Sequence, residues 1–301
     1  MTYAELCTTS NFTFLCGASH PEELVMRAAD LGLAAIAITD RNSLAGVVRA
    51  YSALKVLKDD IPAEKLPKLI VGCRIVLRNS SVDWVALPTD RAAYQRLTRL
   101  LTCGKRRASK GECHLDLNDL MDHAKGTILI AIPSDLDTAQ RDIHPVQRRF
   151  PGHVFMGAAP QYDGSDQAYF TACADLALRC STPMVAVGDV LMHHSKRKQL
   201  ADVLTCMRHH ITIDQIGTRA LPNAERRLKG HVDMARLFRH HPAAIRRTME
   251  IAVRCSFELS ELSYEYPDEI ADGESPMARL ERLAREGLKR RYPDGASVKV
   301  K

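Results

Sequence analysis

A small β/α barrel of about seven mostly parallel strands, followed by a helical segment, is the fold class this sequence predicts. Three observations carry the prediction. Short apolar runs alternate with amphipathic helical stretches through the first 190 residues. Polar side chains stand just after several of those runs, as Asp40 does after 33–38 and Asp189 after 184–187. From His194 onward the strand-like runs stop and helical spacing takes over. Alternation of this kind implies parallel pairing through right-handed crossovers, and so many short strands fit one barrel better than two separate sheets.

The elements follow in order. Residues 19–32 form a punctuated helix: Ser19 is placed to cap it, Glu22 completes a capping box, Pro21 lies in the first turn and Gly32 ends it. Strand 33–38 follows at once. The polar turn Thr39-Asp40-Arg41-Asn42 leads to helix 43–57, with Asn42 or Ser43 as its cap. Strands are expected at 69–77, 82–87, 127–132, 154–159 and 184–187, and helices at 90–101, 116–124, 135–150 and 166–179. The stretch 104–111 (GKRRASKG) reads as a basic loop bounded by glycines. Beyond the strands, 195–209, 232–240, 243–254 and 277–291 read as helices, the last after a polar, linker-like stretch (YPDEIADGESP).

Composition sets the bounds. The chain has 301 residues, 46% hydrophobic and 26% charged, which is ordinary for a globular protein able to bury one large core or two modest ones. A formal charge of +6 permits a nucleic-acid partner without requiring one. No apolar run reaches the roughly 18 residues of a membrane span, and the N-terminus lacks a signal-peptide pattern; the expectation is a cytoplasmic protein with no membrane partner. The nine cysteines are scattered without a CxxC pair and read as small buried hydrophobes. The paired histidines 193–194, 209–210 and 240–241 fall at expected helix ends, where capping or solvation accounts for them.

Side chains at the C-terminal ends of parallel strands converge on one mouth. Here those are Cys7 and Thr9 in the first segment, Asp40 and Arg41, Arg74, Asp83 and Asp189. Divalent metals need several His and carboxylate ligands, and a guanidinium in the same pocket repels them. Buried ion pairs are therefore the expectation, with Arg74 or Arg41 pairing with Asp40, Asp189 or both. No glycine pattern for nucleotide binding and no nucleophile elbow is present. The cluster Lys105, Arg106, Arg107 and Lys110 is the densest basic one; a solvated loop is its plain reading and phosphate contact its functional one.

The run YAELCTTSNFTFLCGASHPEELVMRAADLGLAAIAITDRNSLAGVVRAY resembles the start of bacterial C-family DNA polymerases of the α-subunit type. These open with a polymerase-and-histidinol-phosphatase (PHP) domain, a distorted (β/α)7 barrel. The segments PTDRAAYQRLTRLLTCGKRRASKGEC, VGDVLMH, DVLTCMR, NAERRLK, MARLF and SYEYPDE are similar to the error-prone, damage-induced branch of that family. The resemblance implies a PHP-like barrel over 1–194, a helical segment over 195–262 that would pack on a polymerase palm, and a linker with the truncated start of the polymerase body over 263–301. Active PHP domains open with His-x-His, where this chain has Cys7 and Thr9; their Asp-His pair is Asp40 and Arg41 here, their Gly-x-Glu glutamate is Arg74, and their closing Asp-x-His is Asp189 and Leu191. Only Asp40 and Asp189 keep clear ligand identities. The implied parent activity is template-directed synthesis past DNA lesions, with this chain a non-catalytic scaffold that holds no metal or other cofactor, Mg being expected only in the absent palm. Implied partners are the remainder of the polymerase body, DNA, and damage-response polymerase accessory proteins. The alternatives are a metal-dependent phosphoesterase using Asp40 and Asp189 with Cys7 or Asp83, and a nucleic-acid-binding module acting through Lys105–Lys110.

Overall fold

Strand β1 (Ala4–Thr8) pairs in parallel with β2 (Ala35–Ile38), and β2 with β3 (Lys68–Val71). A second sheet runs in the order β4 (Cys73–Ile75), β5 (Val82–Pro88), β6 (Thr127–Pro133), β7 (Val154–Ala158) and β8 (Met184–Ala186). The computed structural model describes residues 2–263, 273–295 and 297. Its strand pairing gives two sheets rather than one closed ladder. The expected strand 69–77 is two strands parted at Gly72, where a Cβ would sit 2.6 Å from Leu87 Cδ2 and 2.8 Å from Thr39 Cγ2. One seam is bridged by Arg41 and Arg74, the other by Thr8 and Val190. At the second seam Val190 N donates to Cys7 O at 3.0 Å and Thr9 N to Val190 O at 2.9 Å.

Parallel pairing holds for β1–β3 and for β6–β8, but β5 is antiparallel to both neighbours. The short return at 76–81 has no crossover helix and so joins β4 and β5 as antiparallel strands, and β6, which runs with β4, opposes β5 as well.

Almost every strand residue is buried on both faces, as in parallel sheets covered by helices. One face, including Leu6, Ala37, Ile70, Leu87 and Ile130, forms an inner cluster with Ile251 and Ala252 of α9 (Pro242–Arg254) and with Cys255 just after it. The other packs under α1 (Pro21–Asp30), α2 (Ala45–Asp60), α3 (Arg91–Arg106), α4 (Leu117–His123), α5 (Leu136–Arg149) and α6 (Asp166–Arg179). Helix α9 sits across the starts of the strands. Thr248 Oγ1 accepts from Ala4 N at 3.3 Å, and Arg247 Nη1 donates to Met184 O at 2.7 Å. With that end covered, the strand C-termini form the open mouth. The compact unit Met1–Glu261 therefore includes the helices after the strands, α7 (Lys198–His209), α8 (His231–Leu237) and α9; no unit boundary falls at 194.

Two local expectations change. Helix α1 is capped by His20 with Glu23, whose carboxylate accepts from His20 N at 2.9 Å, not by Ser19 and Glu22. Ser19 Oγ instead accepts from His193 N at 2.9 Å. Helix α3 runs through Arg106 because its buried stripe of Leu97, Leu100, Leu101 and Gly104 continues past 101, so Lys105 and Arg106 belong to a helix end rather than a loop. All nine cysteines are free thiols.

The second unit, Leu262–Lys301, contains α10 (Pro276–Arg291), whose N-cap Ser275 accepts from Ala278 N at 3.3 Å. None of its side chains is buried. The linker expected at 266–276 lies in large part outside the described residues.

Candidate functional site at the strand ends

Asp40 ends β2 fully buried, and its partners are hydroxyls. Oδ1 accepts from Ser10 N at 2.9 Å and Thr13 Oγ1 at 2.8 Å, and Oδ2 from Ser10 Oγ at 2.7 Å. Burial raises its pKa, an effect the Ser10 and Thr13 hydrogen bonds oppose. The carboxylate thus pins the loop after β1 to the end of β2. Gly46 makes the approach possible, since a Cβ there would lie 2.5 Å from Asp40 Oδ2. Of the two carboxylates expected to pair with Arg74 or Arg41, Asp189 does so through Arg74 and Asp40 does not. The hydroxyl-bearing loop 9–13 reaches the carboxylate first and satisfies both oxygens.

Arg74 does fill the mouth. Its Nη1 donates to Asp189 Oδ1 at 2.7 Å and its Nε to Asp83 Oδ2 at 2.8 Å, with the side chain 14% exposed. Arg41, half exposed, reaches Asp83 at 3.9 Å and touches neither Asp40 nor Asp189. The second cation on Asp189 is Arg226, which stands at no strand end. It donates from Nε to Asp189 O at 3.0 Å and from Nη2 to Asp189 Oδ2. Its only signal in the sequence was its place in NAERRLK. Burial alone would raise the Asp189 carboxyl, but Arg226 and Arg74 hold it down at about 2. Cys7 Sγ donates to Asp189 Oδ1 at 3.7 Å, and burial beside that carboxylate pushes the thiol well above its ordinary pKa.

Thr9 and Leu191 are used by the backbone. Thr9 N closes the seam to Val190, while Leu191 N donates to Arg226 O at 2.9 Å and Leu191 O accepts from Ala18 N at 2.8 Å.

Glu5 is the other group that sequence reasoning missed. The β1–β2 register shifts between Glu5 and Thr8, and the carboxylate fills that irregularity. Oε1 accepts from Cys7 N at 2.9 Å and Gly188 N at 3.0 Å, and Oε2 from Tyr3 OH at 2.8 Å. It satisfies N–H groups at the seam that the strand ladders leave over. A Cβ at Gly188 would collide with Oε2. Burial pushes Glu5 up to about 7 despite those donors.

A divalent metal fits these residues poorly. A guanidinium already spans Asp83 and Asp189, Asp40 is saturated by hydroxyls, and a thiol raised so far is not the thiolate that binds metals. Among the described residues no group of three or more His, Cys, Asp or Glu is disposed to hold a metal ion.

The basic cluster divides. Arg107 Nη1 donates to Asp119 Oδ2 at 2.6 Å, which commits it to α4, and Arg106 lies outside the groove beside the loop. Lys105 and Lys110 line that groove together with Phe12, Phe14 and Arg41.

The PHP domain family model matches residues 5–152. Over its whole length the chain is 67% identical to an error-prone DNA polymerase of Ruegeria pomeroyi, of which it covers 30%. Error-prone DNA polymerases of Rhodopseudomonas palustris (strain BisB5) and Caulobacter vibrioides match 99% of the chain at 44% and 41% identity, each over 27% of its own length. The chain thus spans less than a third of these relatives. Among solved structures, it is similar to a putative metal-dependent phosphoesterase from Bifidobacterium adolescentis at 12% identity and a TM-score of 0.43, covering 62% of this chain and 87% of that one. It is also similar to an amidohydrolase from Chromobacterium violaceum at 16% identity and a TM-score of 0.45, covering 63% and 88%. No helix among the described residues is long and apolar enough to cross a membrane.

Proposed function

We propose, from the premise that this chain belongs to the PHP domain family and corresponds to the N-terminal part of error-prone DNA polymerases, that it serves such a polymerase as a non-catalytic scaffold. The observation that carries this reading is the guanidinium of Arg74 lying between Asp83 and Asp189, with Arg226 on the far side of Asp189. Two adjacent carboxylates of low exposure repel each other unless a cation lies between them. This chain supplies that cation from its own side chains, so the mouth is electrostatically complete and works as a set of cross-braces between strand ends.

The parent activity in this reading is DNA synthesis past lesions, performed in the cytoplasm by a palm that holds Mg and lies outside this chain. The remainder of the polymerase body, a palm beside the helices after 194, and damage-response accessory proteins are the proposed partners. The test is metal content and hydrolysis. The purified chain is incubated with excess Zn or Mn, desalted, and assayed for bound metal and for cleavage of phosphomonoesters and phosphodiesters. The expected result is neither stoichiometric metal nor metal-dependent turnover. Stoichiometric metal at Asp40 and Asp189, with Arg74 displaced, would establish a phosphoesterase instead.

A further inference from the structure

We propose that the groove beside the mouth, between the loops 12–14, 41–43 and 109–113, binds single-stranded DNA by stacking bases on Phe14 while Lys105, Lys110 and Arg41 take the phosphates. The groove has a volume of about 560 Å³. Phe14 is 82% exposed at its edge and Phe12 37%, an unusual placing for two rings in a chain with only seven phenylalanines. Neither ring belongs to a core cluster.

The loop that carries the rings is held. Asp40 fixes Ser10 and Thr13 on either side of Phe12, Ser10 Oγ accepts from Phe12 N at 3.1 Å, and Arg208 Nη1 donates to Leu15 O at 3.2 Å. Leu15 follows Phe14 at φ +57° and Asn42 on the facing loop stands at φ +47°, a region that residues with a side chain seldom adopt. The buried aspartate just past β2 therefore positions the backbone that carries the aromatic rim.

Charge selects the occupant. Arg41, Lys105 and Lys110 line the groove against one carboxylate, Glu112, which faces His114 at 3.5 Å. The ion pairs of this neighbourhood, Arg107–Asp119, His114–Glu112 and the 3.9 Å contact of Arg41 with Asp83, involve neither lysine. Cations along a groove with a stackable ring at its edge suit a polyanion whose bases are free. Duplex DNA hides its base faces, and acidic side chains offer no ring to stack. The inference rests on the groove alone, and its failure leaves the scaffold reading untouched.

The test uses the whole chain and a fluorescein-labelled dT12 oligonucleotide, read by anisotropy across a salt series. Phe14→Ala should weaken binding about tenfold, as loss of one base–aromatic stack does. Phe14→Leu should lose as much, because it keeps apolar area without the ring. Lys105→Gln with Lys110→Gln should reduce the salt slope by roughly 0.7 for each lost contact. Lys55→Gln with Lys58→Gln on α2 should change nothing. No binding of dT12, an unchanged affinity in Phe14→Ala, equal binding of a blunt 12-base-pair duplex, or equal displacement by poly-glutamate would each overturn the proposal.

Discussion

Replacing Arg74 by Leu tests the cross-brace directly. The substitution preserves bulk and removes a cation that serves two carboxylates, Asp189 at 2.7 Å and Asp83 at 2.8 Å, with side chains only 14% and 22% exposed. Breaking a buried pair by removing one partner costs about 3–5 kcal/mol, since the other charge is left uncompensated. Two features of this site move the expectation to the lower end. Arg226 stays on Asp189, and Arg41, at 3.9 Å, stays near Asp83. A loss of about 3 kcal/mol would lower the urea midpoint by about 1 M at an m-value near 3 kcal/mol per M. The pH profile supplies a second signature. Asp189, held down at about 2 from an ordinary 3.8, contributes stability that is present above 3.8 and lost as pH falls through about 2. In Arg74→Leu less holds that carboxyl down, so the stability lost between pH 5 and pH 3 should be smaller and its loss complete at higher pH. Arg74→Lys should recover only part of the stability, because one ammonium cannot make both fork contacts. Urea unfolding of the three proteins at pH 3, 5 and 7 gives the answer. A midpoint within about 0.2 M of the parent would refute the buried-brace argument.

Three further outcomes follow from other parts of the molecule. Glu5, raised to about 7 from 4.5, contributes stability that is fully present below pH 4.5 and lost as pH rises through 7; Glu5→Gln should therefore flatten the decline between pH 5 and pH 8, and an unchanged slope would locate the titration elsewhere. Gly188→Ala drives a methyl into the Glu5 carboxylate and should cost about 1–3 kcal/mol as overpacking does, checked by thermal unfolding, with a neutral result showing that the seam yields. Helix α10 buries no side chain, with Leu280 62% and Leu283 47% exposed, whereas α1 fully buries Leu24, Val25 and Ala28; hydrogen exchange should find α10 opening far more readily, and equal protection would mean that α10 is covered.

The sequence by itself determined the elements and the direction in which chemistry-bearing side chains point. Apolar runs of strand length and helical periodicity are local signals, although the Ser19 hydroxyl, taken by His193, shows that even a cap is settled by tertiary partners. Locality is why α6 matches its expected span 166–179 residue for residue, and why Asp40, Arg74 and Asp189 could be placed at one mouth before any coordinates. The tertiary structure decided who pairs with whom. Asp40 went to the hydroxyls of Ser10 and Thr13, because the loop after β1 folds over the end of β2. Asp189 took a second arginine from 37 residues further along, because the segment around Arg226 runs beside Val190 to Met192. Glu5 took Gly188 N as a donor because the two sheets meet beside the β1–β2 register shift. The groove beside the mouth gathers three loops that are distant in the chain. A charged side chain reads as charged in any sequence, but its partner is set by how the strands come round to meet, and that geometry is a property of the whole chain.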